Sequence, residues 1–553
     1  MKKIIIPMLF ASFLAACGGG GGGGTSVGTG SSSGSGSGSG SGSSTVYPAP
    51  STLAEICAVP RPAGTINPDT GSAYGDVQGT LPAEMAWIAS YVNFTYLWYA
   101  DVPVVSPTGY ALNATVTYVD PTTNSSGSKT LTSNYDVVDA YFNSQRSPLF
   151  TATGKPKDQF HFTYTTADWQ ALSTRGVQAG FGFNVALLAA TPPRRAVVAY
   201  TSPNTTAATN NVVRGAQIIS INGVDVANGT DVVTLNEGLF SPIAGNSYTF
   251  VVLDVGSSVQ RSVTMTASTV ALTPVMNVGT LPAPNNTVGY ILYNDQIATA
   301  ESELIAAINA LNAANNGTGV TDLVLDLRYD GGGYLELASE LSYMIAGPTQ
   351  TNGKIFEQDT YNNKNPFNQT TADLQIPFYA TARGLTTATG TPLPYLGSGL
   401  STVYVITGSG TCSASEAIMN GLIGIGVKVV EIGATTCGKP YGFFPQDNCS
   451  TTYFTIQFEG VNNLGFGAYA DGFIPGGTGT TANNLPGCRV PDDFSKQLGD
   501  PTEGRLAAAL QYRGNGSCPV VPVASAAPTQ IGLAVARSQA RENRILRQVL
   551  KLQ

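Results

Sequence analysis

The chain has 553 residues, of which 42% are hydrophobic and only 11% charged. That length exceeds what one core serves and predicts several domains, while the apolar fraction excludes wholesale disorder. Lysine and arginine number 27 against 35 acids, a net charge of -8, which excludes a protein that works by neutralising nucleic-acid phosphates.

Residues 1–17, MKKIIIPMLFASFLAAC, place two lysines before a short apolar run and then small residues. This pattern is a secretory signal, too short to span a bilayer as a mature helix. Leu14-Ala15-Ala16-Cys17 resembles the lipobox of bacterial lipoproteins. The resemblance implies cleavage before Cys17 and lipid on its sulfur. Gly18 stands where that pattern puts an aspartate for inner-membrane retention. The expected location is therefore the outer membrane of a Gram-negative cell, facing the periplasm or the outside. Residues 18–52 are a linker, nearly pure Gly, Ser and Thr up to Ser44, a composition that builds no core and forms a loose tether.

Residues 53–170 read as an amino-terminal helical domain, with an aromatic-rich helix over 82–103. Residues 171–275 change to short β-rich runs broken by Gly, Asn and Pro. Two pieces there, Gly180-Phe181-Gly182-Phe183 and the RGAQIISING run from Arg214 to Gly223, resemble a PDZ domain. The resemblance implies that the backbone of 180–183 receives a peptide carboxylate while the peptide adds a strand to the sheet edge. Residues 276–518 alternate strands and helices, which predicts βαβ units and a mixed, largely parallel sheet. VGYILYN, TDLVLDLR, STVYVITG and VKVVEIG are its strands. Helices are expected over 298–314 and from about Ala414. Residues 519–553 form a tail, read as a surface end despite its spaced basic residues. The fold class is thus multidomain α+β.

Six cysteines remain beyond Cys17: Cys57, Cys412, Cys437, Cys449, Cys488 and Cys518. An even number in an exported chain suggests disulfides, and none has the spacing of a zinc site. Closeness in sequence favours Cys437 with Cys449. The single histidine, His161, lies far from the motifs below and reads as structural. No metal and no cofactor are expected.

Two strand ends carry the chemistry. Asp326-Leu327-Arg328-Tyr329-Asp330 runs into Gly331, Gly332 and Gly333, where backbone N–H groups can approach a ligand closely. Thr411-Cys412-Ser413-Ala414-Ser415-Glu416 also follows a buried strand and opens a helix. That puts Ser413 on a sharp turn at the positive end of a helix dipole. Plain helix capping is the commoner use of Ser415 and Glu416. Lys439 follows the next strand, in Cys437-Gly438-Lys439-Pro440. If those two strands are neighbours, their ends bring Lys439 to Ser413, where burial would make its amine a base without histidine.

In this order and spacing, DLRYDGGG, TCSASE and CGK resemble the tail-specific, or carboxyl-terminal-processing, serine proteases, over roughly 82–515. The resemblance implies peptide hydrolysis by a Ser413 nucleophile and a Lys439 base. It also implies an oxyanion held by the N–H of Ala414 and one from Gly332 or Gly333. Its partners would be protein or peptide substrates, with the membrane reached through the lipid anchor. Asp330 and Cys412 depart from the family pattern, as does Phe443 where many members have Gln. The alternative is a catalytically inactive peptide-binding lipoprotein.

Overall fold

The computed structural model describes residues 47–553 except 69, 120–125, 152, 190–191, 478–480, 521–543 and 546–553. Cys17, most of the 18–52 linker and most of the 519–553 tail therefore lie outside the described residues. Among those described, no helix is long and apolar enough to cross a membrane.

The centre is a six-stranded sheet: β1 (Val275–Thr280), β2 (Val288–Tyr293), β3 (Asp322–Asp326), β4 (Thr402–Thr407), β5 (Lys428–Gly433) and β6 (Gly487–Arg489), in that order. β1 pairs antiparallel with β2 and every other neighbour is parallel. Parallel strands need crossovers that cover both faces, so their sequences are apolar throughout, and all six residues of β2 are buried. The helix α1 (Ala300–Gly317) crosses from β2 to β3. The helix α2 (Leu335–Thr351) follows the glycine turn after β3, and α3 (Ala414–Gly424) joins β4 to β5.

Side chains alternate across the sheet. Leu323, Leu325, Val403 and Val405 point into the larger core with the three helices, while Val324, Tyr404 and Ile406 enter a second core with Leu506 and Ala509 of a late helix. The amino-terminal segment has helices at Leu81–Thr95, Asn134–Asn143 and Thr166–Ser173, and a hairpin pairs Thr115–Val119 with Ser126–Thr130. The aromatic helix ends at Thr95, short of the expected 103, because Tyr96 turns to extended backbone. This segment shares the larger core: Trp87 packs on Tyr453 and Phe162 stacks on Phe454. Phe162–Thr165 also pairs antiparallel with Thr451–Phe454, and Cys57 is bonded to Cys449.

The β-rich region is an antiparallel sheet with its own core around Phe181, Val198, Ile218 and Phe250. Phe183–Ala189 is its edge strand. Arg214 ties this unit to the centre, donating to Tyr329 Oη and the Asp492 carboxylate at 2.5 Å each. Burial alone would push the Asp492 carboxyl up, but Arg505, Arg328 and Arg214 hold it far below the ordinary carboxylate range.

A second buried carboxyl carries a pH signature. Glu340, on α2, accepts the Arg383 N–H at 2.8 Å, and its other oxygen has no partner. Burial, reinforced by the charge of Glu301, raises its pKa from 4.5 to about 8. The unfolded chain ionises this group near 4.5. Its contribution to stability is therefore complete below that pH and is lost as pH rises toward 8. Glu340→Gln should gain on the wild type across this window, by at most about 1.4 kcal/mol per pH unit. Thermal unfolding of both proteins at several pH values checks this, and a Tm difference that does not change with pH would refute it.

Candidate active site

The DLR motif is a structural anchor. Arg328 is buried and donates to both oxygens of Asp326, to Asp492 and to both oxygens of Glu503, at 2.8 to 3.1 Å. A fully desolvated guanidinium with three carboxylate partners fixes the end of β3 and so the turn that follows. In that turn Asp330 Oδ1 accepts the Gly332 N–H at 2.9 Å, and Asp330 Oδ2 accepts Gln296 Nε2 at 3.1 Å. The same amide nitrogen of Gln296 lies 3.1 Å from Ser415 Oγ. The Asp330 carbonyl takes the Cys412 N–H and the Ser415 hydroxyl. The glycine turn is thereby laid against the start of α3. A side chain at Gly332, where φ is +101°, would meet Ala414 N at 2.9 Å and Ser413 Cβ at 3.0 Å. Only glycine lets this backbone reach the serine.

Ser413 sits between β4 and α3 with φ 60° and ψ -116°, a conformation that L residues with a side chain rarely adopt. Such strain, of about 1–3 kcal/mol, persists where the surroundings over-determine it. Its Oγ is buried and makes no hydrogen bond. β4 and β5 are parallel neighbours from Thr402↔Lys428 to Thr407↔Gly433, so the chain leaving β5 returns past the elbow. Gly438, at φ +88°, allows the close passage, since a Cβ there would stand 2.2 Å from the Ala470 carbonyl. Lys439 is fully buried, its Nζ 4.4 Å from the ring centre of Phe160 and 4.7 Å from that of Phe443.

Glu416 joins the two segments. Its Oε2 accepts the N–H of Ser413 at 2.9 Å and of Lys439 at 2.8 Å. Its Oε1 accepts the Gly438 N–H at 2.9 Å and the Thr436 hydroxyl. Burial raises the pKa of this carboxyl, against the pull of those donors. Cys412 is bonded to Cys437, and Cys488 to Cys518. The expected Cys437–Cys449 pairing is thus incorrect. The parallel register of β4 and β5 carries Cys437 to Cys412, while Cys449 ends a hairpin packed on the amino-terminal segment. The donor atoms of Cys412, Glu416 and Cys437 lie within 4.8 Å of one another. Both sulfurs are spent on each other, so this set offers a cation a single carboxylate.

The other expected site residues are placed as follows. Gly333 continues into a short parallel pairing with Gln296 on one side and Arg544 on the other. The Gly332 N–H is held by Asp330 Oδ1 at 2.9 Å. Ala414 begins α3. In the β-rich unit, Phe181 is a core residue against Phe250 and Tyr248, so its side chain is not presented to a ligand. His161 is fully buried, with Nε2 2.9 Å from the Phe142 carbonyl and Nδ1 3.2 Å from Thr455 Oγ1. Gln296 and the joining role of Glu416 were not foreseen from the sequence. Glu416 stands three residues after Ser413, a capping-box spacing, but its contacts to Gly438 and Lys439 require the tertiary fold.

The mixed, largely parallel sheet thus carries a serine on a strained strand-to-helix elbow, with the backbone N–H groups of Ser413 and Lys439 meeting on one oxygen of Glu416. Residues 287–446 match the model of peptidase family S41, and the chain carries a domain of that family. That family, which includes the carboxyl-terminal-processing proteases, is one of serine-type peptidases, whose substrates are proteins or peptides. Among solved structures, a candidate S41 protease from Bacteroides fragilis is similar in fold, with a TM-score of 0.51 and 21% identity over 80% of this chain and 98% of its own. The photosystem II D1 C-terminal processing protease aligns at a TM-score of 0.38 and 16% identity, over 72% of this chain and 92% of its own. No curated protein matches the chain by sequence.

Proposed function

We propose that the chain is a secreted serine endopeptidase, held at a membrane by lipid on Cys17, with Ser413 as nucleophile and Lys439 as general base. The observation that carries this reading is the convergence of the Ser413 and Lys439 N–H groups on one oxygen of Glu416. It pins the two backbones together at the ends of adjacent strands. In the first step the neutral amine of Lys439 takes the Ser413 hydroxyl proton as Oγ attacks the scissile carbonyl carbon. The oxyanion is received by the N–H of Ala414 and one from the glycine turn, Gly332 or Gly333. The C–N bond then breaks, and the proton on Lys439 passes to the departing amine. Water, deprotonated by the same lysine, releases the acyl group from Oγ.

Arg544–Ile545 pairs in parallel with Gly333–Tyr334 and with Gly442–Phe443, so the backbone between glycine turn and base has strand-forming edges. That supports an extended polypeptide as the substrate conformation. The unit spanning 171–275 would present its edge strand, Phe183–Ala189, and the backbone of 180–183 to a substrate carboxyl terminus, while the Phe181 ring stays inside. Digestion of a peptide library by the full chain, with Ser413→Ala alongside, tests the activity. Amidated peptides should be cut more slowly than free acids if the β-rich unit reads the terminus.

The complete burial of Ser413 favours a second reading, a peptide-binding lipoprotein with a silent centre. A fluorophosphonate that fails to label Ser413 in protein able to bind peptide would establish it.

A further inference from the structure

We propose that the Cys412–Cys437 disulfide is a positioning element of this centre and makes turnover depend on the oxidation state of that one bond. The inference rests on the serine–lysine reading above. Each sulfur adjoins one partner: Cys412 precedes Ser413, and Cys437 stands two residues before Lys439. Their Cα atoms are 5.2 Å apart. Both ends are held by backbone bonds, Cys412 N–H to the Asp330 carbonyl at 3.2 Å and Cys437 N–H to the Thr411 carbonyl at 3.0 Å. The bond therefore spans from the elbow that carries the nucleophile to the segment that carries the base. Beside that Cys437–Thr411 backbone bond, the Glu416 carboxylate fastens these segments, and its hold depends on its charge in a buried site. A covalent link does not. Reaction needs the two side chains placed to within a fraction of an ångström, a demand that a loosened segment after β5 would miss. The disulfides Cys57–Cys449 and Cys488–Cys518 adjoin neither Ser413 nor Lys439 in sequence.

Cys412 is buried while Cys437 is partly exposed, so a reductant meets Cys437 Sγ first. One thiolate of a dithiol attacks that sulfur. The S–S bond breaks, and its electron pair leaves on Cys412 Sγ, which takes up a proton. The second thiolate of the reductant then displaces Cys437 Sγ and closes the reductant's own disulfide, and two electrons have passed to the protein.

The test compares the full chain with its Cys412→Ala/Cys437→Ala and Cys488→Ala/Cys518→Ala forms on one cleavable peptide. The first pair should lower kcat by about tenfold or more and move the acid limb of the pH profile, with KM changed by less than about threefold. The second pair should lower Tm and keep the wild-type kcat. Graded reduction of the wild type by dithiothreitol, with freed thiols trapped and located by mass spectrometry, provides an independent measurement. Activity should fall with the reduced fraction of Cys412–Cys437 and return on reoxidation. Wild-type kcat and pH profile in the first pair, or activity indifferent to that reduced fraction, overturns the proposal. Fluorophosphonate labelling separates the two levels of the argument. Undiminished labelling of Ser413 in the first pair refutes the disulfide role alone, whereas a Ser413→Ala form that still cleaves refutes the serine–lysine reading and this inference with it.

Discussion

Ser413→Ala should lower kcat by about 10⁴-fold or more, as removal of a catalytic nucleophile does, and leave the fold intact. The Oγ makes no hydrogen bond, so alanine forfeits none. Ser413→Gly separates function from stability further. The backbone here is held at φ 60° and ψ -116°, a conformation free of Cβ strain only in glycine. The glycine form should be equally inactive yet more stable, by about 1 kcal/mol after its larger unfolded-state entropy is counted. Calorimetry beside a peptide assay reads both effects. A glycine form that melts below the alanine form would show that the elbow carries no strain, and an alanine form with residual turnover above one part in about a thousand would remove Ser413 from the mechanism.

The parallel sheet was legible because its strands are buried on both faces. VGYILYN, TDLVLDLR, STVYVITG and VKVVEIG read as apolar runs between helical stretches, and all four are strands. The adjacency of the third and fourth stood in the sequence only as a condition, and the structure meets it through the short crossover between them. The amino-terminal segment was less legible, because its helices complete a core supplied by residues three hundred positions away, such as Tyr453 and Phe454. Local pattern carries no information on that partner. The same distance explains the disulfides. Cys57 finds Cys449 across the strand pairing of Phe162–Thr165 with Thr451–Phe454, which sequence spacing cannot reveal. At the candidate site, the placement of Ser413 and Lys439 after strands was legible, and both do follow adjacent strands. Asp326 and Arg328 read in the sequence only as the strand that leads into the glycines, and they form the buried anchor that aims the glycine turn. Gln296 went unnoticed because a glutamine after a strand has no signature until the fold sets it beside Asp330 and Ser415.

Lys439→Met should cost kcat about 10²- to 10⁴-fold, the contribution of a positioned base. Methionine has nearly the length of lysine, and its thioether suits a place between the rings of Phe160 and Phe443. Lys439→Arg makes the sharper comparison. It keeps the positive charge and the stem, but a guanidinium does not give up its proton in a protein and cannot act as a base. It should be as inactive as the methionine form. The sign of the pH dependence follows from the same requirement. Only the unprotonated amine accepts the serine proton, so wild-type kcat/KM should climb with pH through one ionisation and fall away on the acid side. His161, with both ring nitrogens engaged in the core, takes no part in the proposed chemistry. His161→Gln is expected to lower Tm and leave the shape of the profile unchanged. If the limb disappears in His161→Gln, or if Lys439→Arg retains more than about a tenth of the wild-type rate, the base is not Lys439.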